Sequence, residues 1–222
     1  MLRSEINKII TESINFFDAM NFHLPKWAFW KLKDWETHRN FINEIVQFGL
    51  GWDITDFGSN NFDKIGLLNF NLRNYIYCEK VLICKENQAT PFHTHRQKVE
   101  DIINRGGGNL VIELEISNDI EASTLPEKQG KISIDSIPIT FDSKTKIILT
   151  PGQSIRLKPG IFHQFYGQEG YGKVLVGEVS TTNDDTTDNI FVNGNPRFPE
   201  IEEDEEPMYL LVGDYKHYLL DN

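Results

Sequence analysis

A chain of 222 residues with 39% hydrophobic and 25% charged side chains holds enough apolar material to close a core, which argues against wholesale disorder. Its net charge of -11 argues against a nucleic-acid partner, because phosphates need a basic face. No run of about 18 apolar residues offers a membrane span, and the opening MLRSEINKIITES interrupts any apolar signal core, so a cytoplasmic protein is expected.

In chain order, Ile6, Ile9, Ile10, Ile14 and Phe17 recur with helical period and predict an amphipathic helix from Ser4 to about Met20, with Ser4 as its N-cap. The proline-containing stretch FHLPKWAFWKL follows, and its Trp27, Phe29 and Trp30 are expected to cover an edge or wall of the main structure. A second helix is predicted over Asp34 to Phe48, with Phe41, Ile45 and Phe48 on one face and Gly49 as its stop. LGWDITDFGSNNFDKIG is dense in Gly, Asn and Asp and reads as an ordered loop.

Beyond that loop, short apolar runs alternate with turn signals. The predicted strands are Leu67 to Leu72, Ile76 to Lys85, Asn109 to Ile116, Lys131 to Ile134, Thr145 to Leu149, Gln153 to Leu157, Gly160 to Tyr166 and Lys173 to Val179. Such strands with no helical pattern between them predict an antiparallel sandwich or barrel. The expected organisation is one domain over residues 1–222, in which residues 1–50 form a helical N-terminal extension. Cys78 and Cys84 fall on one predicted strand, too far apart along it to be bridged, so both are expected as reduced thiols. The acidic run from Glu200 to Glu206 reads as a solvated face.

The segment TPFHTHRQKVEDIINRGGGNLVIELEI, residues 90–116, organises the rest. His93 and His95 are two apart on a predicted strand and therefore point the same way. Glu100 follows a short polar turn, and His163, behind the turn formers Pro159 and Gly160, can face back into the same cavity. Three imidazoles and a carboxylate suit a divalent first-row metal. A single histidine on a strand would ordinarily be a hydrogen-bonded core or surface residue, so the inference rests on the company these three keep; His23, His38 and His217 lack it. The three glycines Gly106 to Gly108 read as a turn or bulge feeding the next strand, since no Lys-Ser/Thr and no helical pattern follow them. Downstream, Glu178 closes an apolar run and is a candidate general base, and Lys98 lies in phase with Glu100.

The order His93, His95, Glu100, Gly107, then Gly160 and His163, resembles the two signature motifs of the cupin superfamily, with Asn87 and Gly167 standing where that pattern has a glycine and an asparagine. HxHxxKxEDIINRGGGNL (residues 93–110), GEVSTTNDDTTDN (177–189) and LGWDITDFG (50–58) together resemble the D-lyxose isomerases over nearly the whole chain. The resemblance implies a mainly β fold, a cupin-type antiparallel β-barrel or jelly roll with N-terminal α-helices. It also implies a metal-dependent isomerase that interconverts D-lyxose with D-xylulose and D-mannose with D-fructose, commonly with Mn2+, and a homodimer. On this reading His93, His95, Glu100 and His163 hold the metal, Glu178 and Lys98 act on the substrate, and Asp188 and Arg197 are candidates for sugar hydroxyl contacts. A cupin dioxygenase using the same ligands with iron, a non-catalytic sugar-binding cupin and a phosphosugar isomerase are the competing readings. The last would need more than Arg96, Lys98 and Arg105 near the motif to grip a phosphate.

Overall fold

The computed structural model describes residues 1–116, 129–182, 184, 187–192, 194 and 196–220. Residues 183, 185 and 186 of the expected 177–189 motif, and residues 221 and 222 of the expected domain, lie outside the described residues. The chain opens with helix Arg3–Ala19 (α1), two short helices Leu32–Thr37 (α2) and Asn43–Gln47 (α3), and then strands. These are Gly51–Thr55 (β1), Leu67–Arg73 (β2), Tyr77–Cys84 (β3), His93–His95 (β4), Glu100–Gly107 (β5), Leu110–Ile116 (β6), Gln129–Ile134 (β7), Ile137–Asp142 (β8), Thr145–Leu149 (β9), Ser154–Leu157 (β10), Ile161–Gly167 (β11), Val174–Thr181 (β12) and Asn189–Phe191 (β13). They form an eight-stranded antiparallel sheet in the order β1-β2-β3-β12-β5-β10-β7-β8 and a five-stranded antiparallel sheet in the order β13-β4-β11-β6-β9. The fold is mainly β and jelly-roll-like, with its two sheets left unclosed as a barrel.

Side-chain alternation explains what each sheet face does. On β2 and β3 the outward residues Leu68, Phe70, Val81 and Ile83 pack with Ile6, Ile10 and Phe17 of α1 and with Trp52 and Ile54 of β1. Fully burying one such aliphatic or aromatic side chain is worth about 1.5–3 kcal/mol, so α1 is held by its apolar stripe. The inward residues Leu82, Ile102, Leu110, Ile112, Leu114 and Phe165 fill the space between the sheets. In the interleaved positions of β2 the inward residues are instead Asn69 and Asn71, both buried. A strand that turns its apolar residues out and its amides in has a polar task inside.

Several expectations are corrected by the structure. Helix α1 starts at Arg3 with Leu2 in the N-cap position, and Ser4 lies within the first turn, its Oγ donating to Asp204 Oδ2 at 2.6 Å. The single helix expected over Asp34 to Phe48 is broken between Thr37 and Asn43. Thr37 Oγ1 donates to the Lys33 carbonyl at 2.8 Å and His38 Nδ1 lies 2.8 Å from the Asp34 carbonyl; such side-chain competition for helix carbonyls bends and ends helices. Phe41, expected on a packed face, is 82% exposed. The glycine-rich stretch expected as a loop contains β1, whose Trp52 and Ile54 face α1 while Trp52 Nε1 donates to the Ala28 carbonyl at 2.8 Å. Strand β8 escaped notice because Pro138 sits in it, which an edge strand tolerates. The expected free thiols hold: Cys78 and Cys84 are unbridged and buried on β3, and burial pushes the Cys84 thiol up to about 12.

The acidic run is solvated as expected, all six of its carboxylates being exposed, and it also docks on the start of α1. Arg3 is fully buried and forks, donating from Nη1 to Asp214 Oδ2 at 2.9 Å and from Nη2 to Glu203 Oε1 at 2.6 Å. Asn7 Nδ2 donates to Glu205 Oε2 at 3.2 Å. Carboxylates gathered at a helix N-terminus meet its unsatisfied N–H groups and positive dipole end. Removing one partner of a buried pair strands the other charge, so Arg3→Met is expected to destabilise the protein by about 3–5 kcal/mol, read as a lower denaturation midpoint in urea.

Candidate active site

The site lies between the two sheets. β4 and β11 of the five-stranded sheet pair with His163 directly opposite His93, so their rings stand side by side with centroids 4.3 Å apart. Gly160, at φ +86, makes the turn into β11, and its N–H donates to Thr94 Oγ1 at 3.2 Å. His95 projects from the same face of β4. From the opposite sheet come Glu100 on β5 and Glu178 on β12, with Lys80 of β3 directly across from Glu178 in the ladder. The glycines behind Glu100 form the expected bulge: the β5–β12 register shifts between Leu175 and Val176, Gly107 has φ +82, and a Cβ there would meet the Lys173 carbonyl oxygen at 2.3 Å.

All four expected metal ligands converge. The ligand atoms of His93, His95 and His163 lie within 4.8 Å of one another. Glu100 Oε1 is 3.0 Å from His163 Nε2 and 3.2 Å from His95 Nε2, and these three buried atoms have no hydrogen-bond partner. Two of the far nitrogens are held from behind, His93 Nδ1 2.9 Å from the Pro91 carbonyl and His163 Nδ1 3.2 Å from the Ile161 carbonyl, while His95 Nδ1 lies 3.4 Å from the Asp188 carboxylate without a hydrogen bond between them. Backing of this kind fixes which imidazole nitrogen faces a metal. Burial, then His163 and His95, hold the His93 imidazole well below its ordinary pKa, so it is a neutral donor at pH 7. Burial alone would raise the Glu100 carboxyl, but Lys98, His95 and His163 hold it well below the usual carboxylate range. A buried set of imidazoles plus one carboxylate, with orphaned atoms aimed at a common centre, fits a divalent cation.

Lys98 bridges this cluster to Glu178. Its Nζ lies 2.7 Å from Glu100 Oε2 and 2.9 Å from Glu178 Oε1, and Lys80 Nζ lies 3.4 Å from the same Glu178 oxygen. Burial pushes the Glu178 carboxyl up, yet Lys80 and Lys98 together hold it below its ordinary value. It is therefore a buried carboxylate kept ionised between two ammonium groups. Lys80 was missed by sequence reasoning, although a lysine in phase with Cys78 and Leu82 on the strand YCEKVLIC was a signal for an inward charge.

Asp188 and Arg197 are also brought to the site. Besides backing His95, Asp188 accepts from the Gln97 N–H at 2.9 Å; Arg197 lines the cavity and is ion-paired to the buried Asp53 of β1. Loss of an orienting carboxylate behind a metal-binding histidine typically costs about 10–100-fold in metal affinity. Asp188→Asn is accordingly expected to weaken divalent-metal binding by about that factor, as measured by calorimetric titration.

Two facing antiparallel sheets, with histidines from one and carboxylates from the other meeting in their mouth, define a cupin-like protein with a candidate metal centre. The chain matches the D-lyxose isomerase family over residues 1–215 and belongs to it. It is 41% identical to a D-lyxose/D-mannose isomerase of Serratia proteamaculans, over 99% of this chain and 100% of that one. It is 39% identical to a protein of the same name from Escherichia coli O157:H7, over 98% and 100%. The structure is similar in fold to L-ribose isomerase of Geodermatophilus obscurus, with a TM-score of 0.60 at 14% identity over 91% of this chain and 98% of that one.

Proposed function

We propose that the chain is a metal-dependent aldose–ketose isomerase that interconverts D-lyxose with D-xylulose and D-mannose with D-fructose. The observation that carries this reading is Glu178: a buried carboxylate, held ionised between Lys80 and Lys98, beside the cluster of His93, His95, Glu100 and His163. The names of the two curated relatives supply the sugars.

A divalent ion held by His93, His95, Glu100 and His163 would supply Lewis-acid polarisation of the sugar carbonyl, lowering the pKa of the adjacent C–H. Glu178 then takes the proton from C2 of the open-chain aldose and returns it to C1, through a cis-enediol, while the hydroxyl proton passes from O2 to O1. Lys98 stays within reach of Glu178 and opposes the negative charge that develops on the sugar oxygens. Lys80 keeps the Glu178 carboxylate ionised between turnovers. Asp188 orients His95, and Arg197, fixed by Asp53 at the cavity wall, is placed to meet a sugar hydroxyl.

The family resemblance extends the reading to Mn2+ as the ion, to a homodimer and to the cytoplasm. Among the described residues no helix is long and apolar enough to cross a membrane. The packing of α1 onto β1, β2 and β3 supports one domain over residues 1–222. The test is a panel of aldoses given under nitrogen to metal-stripped and Mn2+-restored protein. Ketose release from D-lyxose and D-mannose only after restoration is expected; turnover that requires and consumes oxygen would indicate a dioxygenase instead, and sugar binding without turnover a binding protein.

A further inference from the structure

Two polar side chains in the cavity wall take no part in holding the ion or moving the proton. Asn69, on the inward face of β2, is 1% exposed, and Thr90, three residues before His93, is 4% exposed. Both line the same cavity as His93, His95, Lys98, Glu100 and Glu178, and neither Asn69 Oδ1 nor Thr90 Oγ1 has a hydrogen-bond partner. A buried polar group left unpaired is destabilising. Two such groups in one cavity mark a place where a ligand completes the bonding.

Their placement is built in. A bridge between Ile65 and Ala89, and the Gly66 N–H donated to the Ala89 carbonyl at 3.2 Å, draw the Thr90 segment alongside the start of β2. The same cavity also presents the apolar side chains of Leu67, Leu82 and Phe165. Hydroxyl partners together with apolar surfaces in one cavity suit a polyhydroxylated carbon chain.

We propose that Asn69 and Thr90 bind the distal hydroxyls of an open-chain polyol substrate, beyond the carbons that exchange the proton, and so determine which sugars are accepted. The proposal rests on the isomerase reading. With C1 and C2 held at Glu178 and the ligand cluster, the hydroxyls from C3 onward are those left to meet this wall. An amide and a hydroxyl each accept and donate, and a site built to bond a hydroxyl rejects the analogue that lacks it.

The test uses Asn69→Leu and Thr90→Val, which remove the polar atoms with little change of shape, and Thr90→Ser, which keeps the hydroxyl. Calorimetric binding of the pentitol D-arabinitol, the unreactive reduced form of lyxose, is measured on Mn2+-loaded full-length protein beside KM and kcat for D-lyxose. Pentitol Kd and lyxose KM are expected to rise about tenfold in the Leu and Val variants, with metal content intact, kcat little changed and Thr90→Ser near the parent. The sugar-free thermal midpoint is expected not to fall, since apolar replacement of an unpaired buried group is neutral or stabilising. The binding penalty is further expected to shrink with monodeoxy pentitols lacking one distal hydroxyl, which a merely structural role would not produce. Unchanged pentitol binding in both variants, or an equal loss against every deoxy analogue, would overturn the proposal. If the parent isomerises no aldose yet binds pentitol with this same dependence, the subsite stands and the isomerase reading falls.

Discussion

Glu178→Gln is expected to lower kcat for lyxose by about 10²–10⁴-fold, the range over which a positioned general base contributes, while metal content stays at the parent level. The substitution is close in shape and keeps an oxygen for Lys98 Nζ, now 2.9 Å from Glu178 Oε1, but it cannot take a proton. Because Lys98 also contacts Glu100 at 2.7 Å, its charge keeps a partner and the ligand cluster keeps its neighbour. Single-turnover rates and metal content, measured on the same preparation, separate lost chemistry from lost metal. A Gln variant with parental turnover would remove Glu178 from the mechanism.

The second large effect is expected at His163. The residue is buried, stands opposite His93 across the β4–β11 ladder and places Nε2 3.0 Å from Glu100 Oε1. His163→Ala deletes a proposed direct ligand, so its cost should exceed the roughly 10–100-fold that follows loss of an orienting partner. Bound metal after gel filtration and activity at stoichiometric Mn2+ should both fall to near background, and excess Mn2+ should recover only part of the activity.

The convergence of the candidate ligands was legible in the sequence because strand period places His93 and His95 in phase, and a turn at Pro159 and Gly160 returns His163 to them. The bulge at Gly106 and Gly107 was legible for a similar reason, since few residue types accept that backbone. Much of what stayed hidden has one physical cause: polar residues facing inward. Asn104 on β5, Asp53 on β1 and Asn69 on β2 break the apolar alternation by which strands are read, because the interior they face is polar rather than merely packed. Lys80 was hidden in the same way, as a charge inside an otherwise apolar strand. The docking of Glu203, Asp204 and Glu205 on the start of α1 was illegible for another reason. Its partners are about 200 positions apart along the chain, and a charge run alone names no partner.

Crystals grown with Mn2+ and measured at the manganese absorption edge provide the most direct test of the proposed centre. The expected result is one strong anomalous peak per chain, about 2.0–2.3 Å from the donor atoms of His93, His95, His163 and Glu100. A peak elsewhere, or none among these four side chains in active protein, would contradict the account.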